Sequence, residues 1–191
     1  MKGYLYITRT GTDPQHGSYL KDPTLDGTPS LGACMPNVRR SVTIGDHVFV
    51  ISGKVPGVAQ YVIGGFEVAE KIDVLEAYKR FPQQRLHQLE DGTLDGNIIV
   101  TADGSQHPLD NHGSFEKRRE NFLVGRNPVV VFSPPQIEIA RRETLDVLRR
   151  IFHKDGAAPI NVIGHCSKMT EAQVRALRDW LLSLRFRALA A

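Results

Sequence analysis

Over the first two-thirds of the chain, apolar residues alternate with polar ones or gather in short runs; over the last third they recur every three or four positions. Alternation marks a strand with one buried face, and a period near 3.6 marks an amphipathic helix. Gly3–Thr8 sets Tyr4, Tyr6 and Thr8 against Leu5 and Ile7, the pattern of a half-buried strand that starts the fold. Residues 11–29 are dense in Gly, Pro, Asp and Ser and predict a long loop. A turn at Gly45-Asp46 feeds the run Val48-Phe49-Val50-Ile51, giving a strand within residues 42–52. A second long strand covers residues 60–72, with a bulge or sharp bend at Gly64-Gly65. Val74–Phe81 predicts a short helix stopped by Pro82, and Asn97–Thr101 a strand followed by an Asp103-Gly104 turn. Phe122–Ser133 reads as a buried strand ended by Pro134-Pro135.

The helical period takes over from Ile137. Leu145, Leu148 and Phe152 share one face of a helix over residues 137–152, while Arg142, Asp146 and Arg149 lie on another. Ile160–Gly164 predicts a short strand. Thr170 with Gln173 then forms a capping box, opening a last helix whose Val174, Leu177, Leu181 and Leu184 repeat on one face. These elements predict an α+β fold: a small curved β-barrel with peripheral and C-terminal helices. The whole chain, 1–191, reads as one domain, with 1–135 the strand-rich barrel and 136–191 a helical part packed on it. Strands and helices do not alternate regularly, which argues against a doubly wound sheet.

Composition adds limits. The chain is 41% hydrophobic and 24% charged, ordinary for a globular protein. No apolar run approaches the ~20 residues that span a bilayer, and the first residues lack the apolar stretch and small-residue cleavage site of a signal peptide. The expectation is a cytoplasmic protein without membrane contact. Two cysteines, Cys34 and Cys166, cannot build a disulfide framework and read as free thiols. Charge is more telling in its distribution than in its net value of +3. Residues 115–191 carry 14 Lys and Arg against 8 Asp and Glu, whereas residues 1–114 carry 10 against 13. Such asymmetry suits a polyanionic partner, and equally suits helices with solvated arginine faces.

The most distinctive segment is Leu31-Gly32-Ala33-Cys34-Met35-Pro36-Asn37-Val38-Arg39-Arg40-Ser41-Val42-Thr43-Ile44-Gly45-Asp46-His47-Val48. It resembles the signature of a nucleotide modification-associated domain family, the second of its numbered types. In that pattern a small residue and Cys precede a basic residue and Pro, Arg-Arg follows, and Gly-Asp opens a strand. Met35 stands where the pattern has the basic residue, which removes one phosphate contact. The Gly-Asp turn and its strand are also similar to PUA-like domains of the EVE and ASCH groups, small barrels that bind modified bases or RNA. The strong match covers about 20 of 191 residues. It implies a PUA-like barrel and an association with nucleobase modification, often in bacterial or phage systems, without specifying a reaction.

Candidate site residues follow. Arg39 and Arg40 could offer guanidinium forks to phosphate or a base edge, or one could pair with Asp46 or a loop carboxylate and lock the turn. Asp46 suits capping of backbone N–H groups in its turn. Tyr6, on a strand face beside a polar loop, is the preferred stacking residue for a base. Lys117, Arg118 and Arg119 form a phosphate-tracking patch, or a solvated face paired with Glu116 and Glu120. His165-Cys166 lacks the arginine a phosphatase loop needs, because Ala172 occupies its place. Cys166 could still sit as a thiolate at a helix N-terminus, with Ser167 and Lys168 beside it. The spacing of His16, His107, His112, Cys34 and Cys166 requires no metal, and Asp91, Asp95, Asp103 and Asp110 read as turn residues. No cofactor is implied.

The functional expectation is a nucleotide- or nucleic-acid-binding domain that recognises a modified base in DNA or RNA. Two alternatives stand beside it: an enzyme of base or nucleotide modification using the same pocket, with Asp46, His47 and Cys166 as candidate groups, and a non-catalytic interaction subunit docking through the Trp180 helix. Binding is favoured over catalysis because no complete catalytic motif is present.

Overall fold

A computed structural model describes residues 1–188. Six strands form one sheet in the order β2-β7-β4-β3-β1-β8. They are β1 (Gly3–Ile7), β2 (Ser30–Leu31), β3 (His47–Ile51), β4 (Val62–Ile72), β7 (Phe122–Val130) and β8 (Cys166–Met169). A separate hairpin pairs β5 (His87–Gln88) with β6 (Leu94–Asp95). The helices are α1 (Pro36–Ser41), α2 (Val74–Arg80), α3 (Phe115–Arg118), α4 (Pro134–Phe152), α5 (Pro159–Ile163) and α6 (Glu171–Arg187). The α+β class is therefore as the periodicity predicts.

The chain builds two compact units from interleaved segments. The first takes Met1–Leu20, Asp46–Glu67 and the chain from Asn127 onward; the second takes Lys21–Gly45 and Val68–Arg126.

In the first unit β1 runs parallel to β3, from Gly3 opposite His47 to Ile7 opposite Ile51. A parallel pair needs a long crossover, and residues 8–46 supply it. On its other side β1 pairs antiparallel with β8, Tyr6 opposite Cys166. β3 pairs antiparallel with the first half of β4, and the register slips between Val50 and Ile51, the irregularity the Gly64-Gly65 pair predicts. Every residue of β3 is buried. Gly65 is required there, since a Cβ would sit 2.4 Å from the Phe49 ring. α6 buries Val174, Leu177, Leu181 and Leu184, and its Thr170–Gln173 capping box is complete. Gly3 lies so close beneath it that a Cβ would come within 2.6 Å of Val174. The loop after β1 is tied down by Asp13, whose carboxylate takes two bonds from Arg141 of α4 at 2.8 and 3.0 Å. The same guanidinium lies 4.6 Å over the Tyr61 ring.

In the second unit Val74, Ala77, Phe81, Ile98, Val100, Phe122 and Val124 form a core, with the Phe81 and Phe122 rings stacked 6.2 Å apart. β2 pairs antiparallel with β7 there. α2 starts on an Asp73 cap, whose carboxylate accepts from Leu75 N at 2.7 Å.

Three expectations need correction. Residues 160–164 are not a strand: Pro159–Ile163 is a helical turn, with Pro at its first position, where the missing N–H costs nothing. Pro134 and Pro135 do not merely end β7 but open α4 for the same reason, behind a Ser133–Gln136 capping box. Residues 97–101 make isolated bridges (Arg85 with Ile98, Val100 with Gln106) rather than a strand. The sequence pattern also gave no sign of α1 or β8.

Candidate functional site

The segment 31–40 belongs to the second unit, and its chemistry is organised by two buried charges of opposite sign. Asp22, from the long polar loop, turns its carboxylate onto three successive main-chain amides. It accepts from Gly32 N and Ala33 N at 2.9 Å each and from Cys34 N at 2.5 Å. Asn97 Nδ2 adds a fourth bond at 3.0 Å and also donates to Ser30 Oγ at 2.8 Å. Ser30 in turn donates to Gln84 Oε1 at 2.8 Å. Gly32 is sterically required, because a Cβ would stand 2.4 Å from the Asn97 carbonyl oxygen.

Arg39 is the second charge. It sits on α1, is 0% exposed, and spends its guanidinium on main-chain carbonyls. Nε donates to Cys34 O at 2.9 Å, and Nη2 to Arg118 O at 2.8 Å and Ala33 O at 3.4 Å. Nη1 donates to Glu120 O and, at 3.3 Å, to Asn121 O. A planar five-donor fork suits such a set of acceptors, which a lysine could not reach together. Burial lowers the Arg39 pKa, and the Asp22 charge works against that lowering. Arg39 is thus a tie between the 33–34 segment and the 118–121 turn, and no part of it faces solvent for a phosphate.

Arg118 reinforces the tie from outside. Its Nε donates to Gly113 O at 2.9 Å and its Nη1 to Ala33 O at 3.0 Å. Lys117 is exposed, and Arg119 is half-buried, 3.7 Å from Glu116 and 5.9 Å over the Phe115 ring. Arg40 is exposed on the last turn of α1 and donates to Asn37 Oδ1 at 2.7 Å. α3 is a single turn, with Asn121 beyond it in the left-handed region (φ 58).

Tyr6 and Asp46 belong to the first unit. Tyr6 is 1% exposed within the sheet, so it offers no open ring face for stacking. Asp46 is buried and accepts from Lys2 N at 3.0 Å, with Lys2 Nζ 3.7 Å away. It therefore caps a main-chain amide, that of Lys2 just before β1.

Neither thiol is poised as a nucleophile. Burial, and then the Asp22 carboxylate, push the Cys34 thiol up to about 12. Burial also raises Cys166, which lies within β8 and not at a helix N-terminus.

Two features escaped the sequence reading. Asp22 carries none of the local spacing that marks a site. Asp110 reads as a turn acid, but its side chain is 2% exposed and its Oδ1 lies 2.5 Å from His112 Nδ1. Gln106 Nε2 holds the other oxygen at 2.8 Å, and His112 itself is 36% exposed. The Asp-x-His spacing was the available signal. Among the described residues no group of three or more His, Cys, Asp or Glu could hold a metal ion, and no helix is long and apolar enough to cross a membrane.

Comparison with protein-family models, with curated proteins and with solved structures finds no match for this chain.

Proposed function

We propose that this protein is a nucleotide- or nucleic-acid-binding domain, of PUA-like type and associated with nucleobase modification, that engages phosphates through the turn at α3. One observation carries the reading. Three consecutive cations, Lys117, Arg118 and Arg119, ride on a turn whose carbonyls at 118, 120 and 121 are gripped by the buried Arg39. A cationic loop normally loses conformational freedom when it binds a polyanion; one already fixed from within loses less, and the affinity gained is correspondingly larger. With Tyr6 buried, phosphate contact rather than stacking on that ring supplies the affinity.

The test is fluorescence anisotropy with short labelled DNA and RNA, with and without base modifications, over a range of salt. Replacing Lys117 and Arg119 by Ala together removes two phosphate contacts, so affinity falls at least tenfold and the slope of log K against log salt shrinks by about 2. A double variant with the parent's affinity and slope removes the turn from the interface.

A second reading, an enzyme acting on the bound nucleotide, is favoured by the Asp110–His112 pair. A buried carboxylate that fixes one imidazole nitrogen leaves the other facing outward as a general base. Turnover of a mononucleotide or oligonucleotide that His112→Gln abolishes, with binding intact, would establish it; turnover unaffected by that change would not.

A further inference from the structure

In the first unit a groove of about 780 Å³ runs between the C-terminal half of α4 and the N-terminal half of α6. Val147, Ile151, Ala172, Ala176 and Trp180 supply its apolar surface. Ala172, Ala176 and Trp180 are spaced i, i+4, i+8, a second stripe on α6 beside the one that Val174, Leu177, Leu181 and Leu184 bury. The two alanines are exposed and leave depth; the half-buried indole closes one end.

The rim carries one unmatched positive charge, that of Arg150. Arg150 and His153, on the last turn of α4 and its cap, line the groove and have no carboxylate partner among the described residues. The carboxylates around them are already matched. Glu143 takes both Arg187 nitrogens at 2.5 and 2.8 Å, Asp146 takes Arg149 at 2.7 Å, and Glu171 takes Arg175 at 2.5 Å. Lys154 and Asp155, next along the chain, cancel in charge.

We propose that this groove receives an amphipathic helix of a partner protein, with apolar anchors at i, i+4 and i+7 and an acidic flank set against Arg150. From Ala172 to Trp180 is about 12 Å along α6, room for two turns of such a helix. The inference stands independently of the phosphate-binding turn.

Trp180 is the chain's only tryptophan, so its emission reports the groove directly. The probe is a synthetic 14-residue helical peptide with leucines at those anchor positions and glutamates on its flanks; the control has lysine in place of each glutamate. The acidic peptide is expected to shift Trp180 emission saturably and to bind at least tenfold more tightly than the control. Ala176→Arg, a change at an exposed position, weakens it at least tenfold while circular dichroism and the thermal transition stay as in the parent. Equal binding of the two peptides, or parent-like binding by Ala176→Arg, overturns the proposal. So does an emission change that follows protein concentration alone, since a second copy of the chain would then fill the groove.

Discussion

Asp22 shows how one side chain sets the chemistry of its neighbours. Its carboxylate gathers the amides of residues 32–34, and the same negative charge lies beside the Cys34 thiol. Burial is the larger cause of the raised thiol pKa and the Asp22 charge the next. A negative charge disfavours thiolate formation, so removing it lowers the pKa from about 12. Asp22→Asn is therefore expected to speed the reaction of Cys34 with a disulfide reagent at alkaline pH several-fold, measured in a Cys166→Ser background so that only Cys34 reacts. An unchanged rate would show that burial alone silences the thiol. At this scale the sequence was a poor guide. Adjacent arginines at 39 and 40 look alike in the chain, yet one is fully buried and the other exposed. What separates them is a set of carbonyls 79 to 82 residues downstream, and no local pattern carries that information.

Elements were legible where their own residues decide them. The Thr170–Gln173 box and the Val174–Leu184 stripe mark α6, the proline after Phe81 stops α2, and alternation marks β1. They were illegible where prolines or distant partners decide. Ile160, Val162 and Ile163 have strand propensity, but Pro159 starts a turn of helix there. α1 is six residues long, begins with Pro36 behind a left-handed Met35, and contains no full apolar period. Its place in the second unit depends on Arg39, which links α1 to the turn between α3 and β7. Arg39→Met fills similar space but leaves the carbonyls of residues 33, 34, 118, 120 and 121 without that donor. Because buried unsatisfied acceptors each cost about 1 kcal/mol or more and some will find other donors, the expected loss in urea unfolding is about 3 kcal/mol. A loss under about 1 kcal/mol would mean that the tie is dispensable. Phosphate affinity is expected to fall with it, as the cationic turn loosens.

For the molecule as a whole, acid is the informative stress. Burial pushes the Asp13 carboxyl up, but the Arg141 bonds and the amides of Gln15 and His16 outweigh it and hold it below the usual range. Glu143 is held down to about 2, chiefly by its hydrogen bonds from Arg187 and against the opposing effect of burial. A carboxylate whose pKa is depressed by folding stabilises the native state above its unfolded value and loses that contribution as pH falls through its folded value. The stability advantage of the parent over Glu143→Gln is thus expected to be full at about pH 6 and to vanish as pH drops from about 4.5 toward about 2. Glu143 is 26% and Arg187 44% exposed, so solvent screening keeps the advantage below ~1 kcal/mol. Thermal unfolding of the two proteins across that range checks it; a difference independent of pH would assign the effect to packing instead.

The division of the chain into segments also fixes an order of events at the ribosome. Every residue of the second unit has been synthesised once position 126 is added. The first unit is still waiting at that point: β1, made before it and already supplied with β3, lacks the antiparallel neighbour of residues 166–169 and the helix that covers Gly3. The edge of β1 that faces away from β3 therefore stays open until residues 166–169 are made, and needs protection from other growing chains until then.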